Sequence, residues 1–159
     1  MLRNAITACQ AFLQPRVPAN GDFVCRFRVL PWDVGISTFK TDRYLAVVEA
    51  AQLDFVIRAG LLRRFLKDKL GWVNVTQAAS FERPLKLFQA YTVTTRIECI
   101  DDKHAYASFR FATPAGTHAL VLLKTKFKQG RRTVPPRELL GECPTEKPAV
   151  VVPLDGLQG

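Results

Sequence analysis

Thr41-Asp42-Arg43-Tyr44-Leu45-Ala46-Val47-Val48-Glu49-Ala50-Ala51-Gln52-Leu53-Asp54-Phe55 opens a stretch, continuing to Leu66, that contains no proline and a single glycine, Gly60. Its residues are good helix formers. Thr41 is placed to cap the N-terminus, and Asp42 falls in the first turn, where a carboxylate suits the helix dipole. Val48, Ala51, Phe55, Ala59 and Leu62 recur at the three-to-four spacing of one face. Leu45, Val47, Leu53, Val56, Ile57 and Leu61 widen that face to most of the circumference, so the helix must be surrounded by other structure. Beyond Gly60 the chain turns basic, predicting an end that emerges towards solvent before Gly71 stops the helix.

After Gly71 the period changes from that of a helix to that of strands. Tyr91, Val93, Thr95, Ile97 and Cys99 alternate with Thr92, Thr94, Arg96 and Glu98, a half-exposed strand. Asp101-Asp102-Lys103 makes a turn, Ala105, Ala107, Phe109 and Phe111 form the next alternating face, and Thr113-Pro114-Ala115-Gly116 turns again. His118 to Lys128 is a further strand, apolar in its first half and basic in its second. Trp72 to Phe81 and Phe23 to Leu30 supply two more. One long central helix wrapped by a curved antiparallel β-sheet, an α+β domain, is the expected architecture.

The chain has 159 residues, 48% of them apolar, which suits one domain with its own core and argues against disorder. No apolar run reaches the ~20 residues of a membrane span. Cys9, Cys25, Cys99 and Cys143 form no CxxC pair and His104 and His118 are the only histidines, so no metal site is expected. Both histidines are expected at the surface. The scattered thiols favour a reducing, cytoplasmic setting. Residues 1–20 read as an N-terminal extension with a short amphipathic helix, 21–140 as the domain, and 141–159 as a loosely held Pro-rich tail.

The net charge of +9 is unevenly spread: residues 1–133 carry 21 basic and 10 acidic groups, the remainder 2 and 4. No acid lies between Asp102 and Glu138, so Lys124, Lys126, Lys128, Arg131 and Arg132 lack a local neutralising partner. A phosphate-bearing ligand and a solvated surface are both readings of that cluster.

Five segments in order resemble the acyl-CoA thioesterase-like branch of the hotdog superfamily, the branch typified by 4-hydroxybenzoyl-CoA thioesterases. They are Phe27-Arg28-Val29-Leu30-Pro31-Trp32-Asp33, Arg43-Tyr44-Leu45, Ser80-Phe81-Glu82-Arg83-Pro84-Leu85-Lys86-Leu87-Phe88, the Asp101-Asp102-Lys103 turn, and Thr133-Val134-Pro135-Pro136-Arg137-Glu138-Leu139. The resemblance implies a hotdog fold, pairing into a homodimer or a larger assembly of dimers by joining sheet edges, and a site at the subunit interface. It implies a CoA or acyl carrier protein thioester as substrate, with no other cofactor.

Thioester hydrolysis needs an activated water or nucleophilic carboxylate, and a donor that polarises the carbonyl. Asp33 lies in the loop ahead of the helix, whose first turn offers unpaired N–H groups. The family's His-hydrophobe-Asn-Asn stretch is absent, with Thr38, Lys40 and Thr41 the nearest occupants, and the loop is one residue shorter. Where relatives carry two Asp residues two apart, the second position falls on Gly35 if Asp33 matches the first. Asp33 therefore reads either as the water-activating base or as a turn carboxylate. Glu49 is the other candidate acid, with a structural ion pair as its plainer account. Tyr44 falls beneath the thioester site, and Lys126, Lys128, Arg131 and Arg132 would meet the nucleotide phosphates. Three functions follow: hydrolysis of fatty acyl or aryl CoA thioesters, binding or scaffolding without turnover, and, third, a basic nucleic-acid-binding module that lacks a recognised motif.

Overall fold

Gly60 breaks the long helical stretch in two. The computed structural model of the protein describes residues 2–156. In chain order they form α1 (Leu2–Leu13), β1 (Phe23–Arg28), a 3-10 turn (Pro31–Asp33), α2 (Thr41–Arg58), α3 (Leu62–Lys67) and β2 (Leu70–Phe81). There follow β3 (Ala90–Ile100), β4 (Ala105–Thr113), β5 (Gly116–Gln129), β6 (Arg132–Val134), α4 (Pro136–Leu140), a second 3-10 turn (Ala149–Val151) and α5 (Pro153–Gly156).

Gly60 adopts a φ of +77°. Its N–H reaches the carbonyl of Ile57 and that of Leu61 reaches Val56, the paired bonds that close a helix through a left-handed residue. The helix formers after Gly60 then restart as the short α3. At the other end the capping residue is Lys40, with Thr41 already helical, and no side chain caps the turn. Asp42 occupies the first turn as expected.

The sheet is antiparallel throughout, in the order β1-β3-β4-β5-β2, with the three-residue β6 added beside β5. β6 was not legible as a strand because three residues carry no period. α2 lies across one face. There Val47, Val48, Ala51 and Phe55 pack on Val93, Phe109, Phe111, Val121 and Leu123, the alternate residues that the sequence places inward. This is the hotdog arrangement, with β1 and β2 as the two edges of the sheet.

Part of the opposite face, where Cys99, Tyr106 and Leu122 lie, is covered by the C-terminal segment. Val151 and Leu154 are fully buried with Cys99, Tyr106 and Leu122, so the expected loosely held tail is instead packed at its end. Asp155 accepts from Lys124 Nζ at 2.7 Å and from the Tyr106 hydroxyl at 2.9 Å, and also pairs with Lys147. Prolines 144, 148 and 153 shape this strap rather than loosen it.

Candidate functional site

Pro31 starts the 3-10 turn that ends at Asp33, and its fixed φ suits that position. The Asp33 carboxylate is buried and turns back on its own loop: Oδ2 accepts the Leu30 N–H at 3.0 Å, and Oδ1 pairs with Arg3 of α1. Its main-chain carbonyl accepts from the Lys40 N–H at 2.9 Å, just ahead of α2. Both side-chain oxygens are thus engaged, one by the turn and one by a residue outside the resembling segments. Thr38, Lys40 and Thr41 are exposed beside this loop. The Val34–Phe39 bridge and the Phe39 N–H bond to Leu85 at 3.0 Å hold it closed.

Beneath the start of α2 lies an aromatic floor. Tyr44 stands edge-on to Phe39 at 4.6 Å and to Phe111 at 5.0 Å, with Phe81 at 4.9 Å. Burial pushes the Tyr44 phenol above its ordinary value, although the Leu85 backbone pulls the other way. Tyr91 stacks beside Phe111 and Phe27, and its buried hydroxyl has no hydrogen-bond partner among the described residues. Burial raises that phenol further still. In the first turn of α2 the Arg43 N–H is taken up by the Lys40 carbonyl at 3.0 Å, and the N–H groups of Thr41 and Asp42 carry no side-chain cap from Lys40. Such donors suit a carbonyl oxygen acquiring negative charge.

Glu49 is exposed and makes no ion pair among the described residues, which corrects the expected structural pair. It lies on the side of α2 away from the sheet. With Asp33, Arg3, Arg28 and Arg43 it lines an open groove of about 860 Å³ between α1, β1 and α2. Arg3 and the groove arginines were not legible as a group, because they are brought together only by the docking of α1 on α2.

The basic cluster lies elsewhere. β5 runs from Ala119, paired with Phe111 and Phe81 near the α2 N-terminus, to Phe127, paired with Trp72 at the far end. Eight residues separate the two, roughly 27 Å of strand. Lys126, Lys128, Arg131 and Arg132 therefore do not join Asp33 and Tyr44 within one chain. Their expected isolation from acids is also corrected: Arg132 approaches Glu138 at 3.5 Å, and buried Lys124 pairs with Asp155. Lys128 Nζ donates to Thr133 Oγ1 at 3.0 Å. His118 is buried against the Thr113 hydroxyl at 2.8 Å, not at the surface.

A second, narrow gap runs between α2 and the sheet, lined by Phe55, Val56, Trp72, Ile97, Phe109 and Phe127. At its mouth Gln52 of α2 donates to Asn74 of β2 at 3.1 Å. Its volume is about 40 Å³, too small in this form for an acyl chain.

A helix laid across an antiparallel sheet, with an uncapped N-terminus over a hydrophobic floor, defines the thioesterase-like class of hotdog domains. The chain belongs to the thioesterase-like superfamily, whose family model matches residues 29–139. Over 66 residues it is 39% identical to a probable thioesterase of Saccharomyces cerevisiae, YBR096W. That match takes in 40% of this chain and 29% of the yeast protein, so it spans less than a third of that relative. Among solved structures, the probable thioesterase YbaW of Escherichia coli superposes with a TM-score of 0.68 at 18% identity, covering 74% of this chain and 95% of that one. A Staphylococcus aureus protein, SAV2348, solved in complex with CoA, gives 0.69 at 13% identity over 86% of this chain and 96% of its own.

Proposed function

We propose that the chain hydrolyses fatty acyl or aryl thioesters of CoA in a seat completed by a second copy. The observation that carries this reading is the uncapped first turn of α2 over Tyr44, Phe39, Phe81 and Phe111. The thioester carbonyl lies at those N–H donors, and the acyl or aryl group lies against the aromatic floor beneath them. Free CoA and an acyl acid are the products.

β2 is a twelve-residue edge strand, paired only with β5 among the described residues. Joining two β2 edges antiparallel sets the Phe81 end of one copy against the Leu70 end of the other. That pairing carries the β5–β6 turn of the second copy, with Arg131 and Arg132, towards this chain's α2 N-terminus, where these two arginines meet the nucleotide phosphates. Lys126 and Lys128 alternate onto the sheet face away from α2 and take no part at that end. Val75, the bulge residue near the middle of β2, lies close to the symmetry axis of such a pair. Val75→Asp sets like charges across it and should convert a dimer to monomers in sedimentation analysis, with loss of thiol release.

Asp33 is the proposed water-activating base once Arg3 withdraws. Wild-type protein should release thiol from medium- or long-chain acyl-CoA, and Asp33→Ala should lower the rate about 100-fold or more. Full activity in the variant removes Asp33 from the mechanism. A second reading, binding without turnover, is favoured by the engagement of both Asp33 oxygens. Calorimetric binding of an acyl-CoA that is never hydrolysed would establish it instead.

A further inference from the structure

α1 is built inside out. Its half-turn against α2 carries Thr7 and Ala11, both buried, with Arg3 and Asn4 half-buried beside them. The side turned to solvent carries Leu2 at 65% exposure, Ile6 at 50%, Phe12 at 65% and Leu13 at 88%, together with Ala5 and Cys9. A surface helix ordinarily buries its apolar stripe and shows its polar one. Here the polar half seals the contact with α2, and a continuous apolar stripe twelve residues long stays outside.

The surroundings of that stripe are basic. At its N-terminal end Leu2 and Ile6 border the groove that also holds Arg26, Arg28 and Arg43. At its C-terminal end Phe12 shares a depression with Arg16, Arg63 and Leu66, the last 73% exposed. Residues 1–21 contain no acid. Around the groove Asp33 is held by Arg3 and Asp42 pairs with Arg43 at 3.6 Å, which leaves Glu49, among the described residues, as the unpaired acid that lines it. An apolar stripe between two arginine clusters matches a surface that is oily at one depth and anionic just above it. That is the profile of a bilayer containing acidic lipids.

We propose that the outward face of α1, with Leu66 of α3, is a docking surface for an anionic lipid bilayer. The helix lies in the interface plane with Leu2, Ile6, Phe12 and Leu13 among the upper acyl chains, and the arginines meet headgroup phosphates and carboxylates. No helix among the described residues is long and apolar enough to cross a membrane, so the attachment is peripheral. Docking here is independent of turnover at the α2 N-terminus.

The test is sedimentation of the full chain with vesicles. Wild type should bind phosphatidylcholine vesicles containing about a third phosphatidylserine, and bind pure phosphatidylcholine far less; added salt should release it. Phe12→Ser with Leu13→Ser should weaken binding more than tenfold. Both side chains are exposed, so the fold is retained, which circular dichroism checks. Arg16→Glu with Arg63→Glu should abolish the preference for the acidic lipid. Absence of vesicle binding by the wild type, or binding unaffected by the Phe12 and Leu13 changes, overturns the proposal. So does a fall in oligomer size in that variant with vesicle binding unaltered, which would assign the stripe to a second copy.

Discussion

Arg58→Met will lower the stability of the protein by about 3–5 kcal/mol, a large share of the 5–15 kcal/mol typical of a domain. Arg58 ends α2 and is only 7% exposed. Its Nη1 donates to Asp54 Oδ2 at 3.2 Å and to the Val24 carbonyl at 3.2 Å, while Nε reaches the Pro15 carbonyl at 3.4 Å. The residue thus ties α2 to β1 and to the segment that carries α1. Removing it strands the Asp54 carboxylate in the core and orphans two carbonyls.

The loss has a pH signature. Burial raises the Asp54 carboxyl above its ordinary value of 3.8, against the pull of Cys25 and Arg58. A carboxyl raised on folding contributes stability below its unfolded value and loses it as pH rises through the folded value. Without Arg58 the folded value climbs further, so the deficit of the variant should be largest at neutral pH and shrink towards pH 4. Denaturant midpoints at the two pH values measure this. Arg58→Met with Asp54→Leu should recover most of the loss, because a buried pair replaced by apolar groups of similar volume is tolerated far better than a broken one. Equal deficits in the single and double variants would show that the loss comes from the carbonyl contacts instead.

The central helix and the sheet were legible because periodicity reports which face of an element is buried. Ala105, Ala107, Phe109 and Phe111 are inward for the same reason that they alternate. Periodicity is silent on what happens where it persists through a break. Helix-forming composition continues on both sides of a left-handed Gly60, in Thr41–Arg58 before it and Leu62–Lys67 after it, so the break was invisible in the pattern although its glycine was in plain view. The same limit applied to the tail. Three prolines indicate irregular backbone, but irregular backbone packs well when two side chains such as Val151 and Leu154 find a sheet face.

The candidate site was legible in its parts and not in its assembly. Asp33 lies in the loop ahead of α2 and Tyr44 in its first turn, but nothing local in the sequence shows that Arg3, thirty residues earlier, holds the Asp33 carboxylate. Lys124, Lys126 and Lys128 were grouped by proximity along one strand. Their parity puts them on the face away from α2, and the acid that neutralises Lys124 arrives 31 residues later. A site made from long-range contacts leaves no spacing to read.

Leu154→Ala should cost about 2–5 kcal/mol, the range for emptying a fully buried leucine position. Leu154 is 0% exposed against Cys99, Tyr106 and Leu122, and its loss removes the apolar anchor that holds Asp155 over Lys124. Asp155→Asn isolates the polar half of the strap. Hydrogen bonds from Lys124, Lys147 and Tyr106 hold the Asp155 carboxyl well below its ordinary 3.8. Its contribution is therefore present above that value and lost as pH falls below it. Burial opposes the charge on Lys124 and Asp155 more than restores it, so the asparagine leaves a nearly buried ammonium with one partner fewer. The variant should be less stable than wild type at neutral pH and should converge on it in acid, where the wild-type carboxylate is itself protonated. Thermal unfolding across that range checks the sign. A Leu154→Ala variant as stable as wild type, or an Asp155→Asn deficit that persists unchanged at the acid end, would mean that the strap does not hold the sheet face closed in solution. The convex face would then be bare, and the sheet, exposed on that side, would stand open to a partner that the strap otherwise excludes.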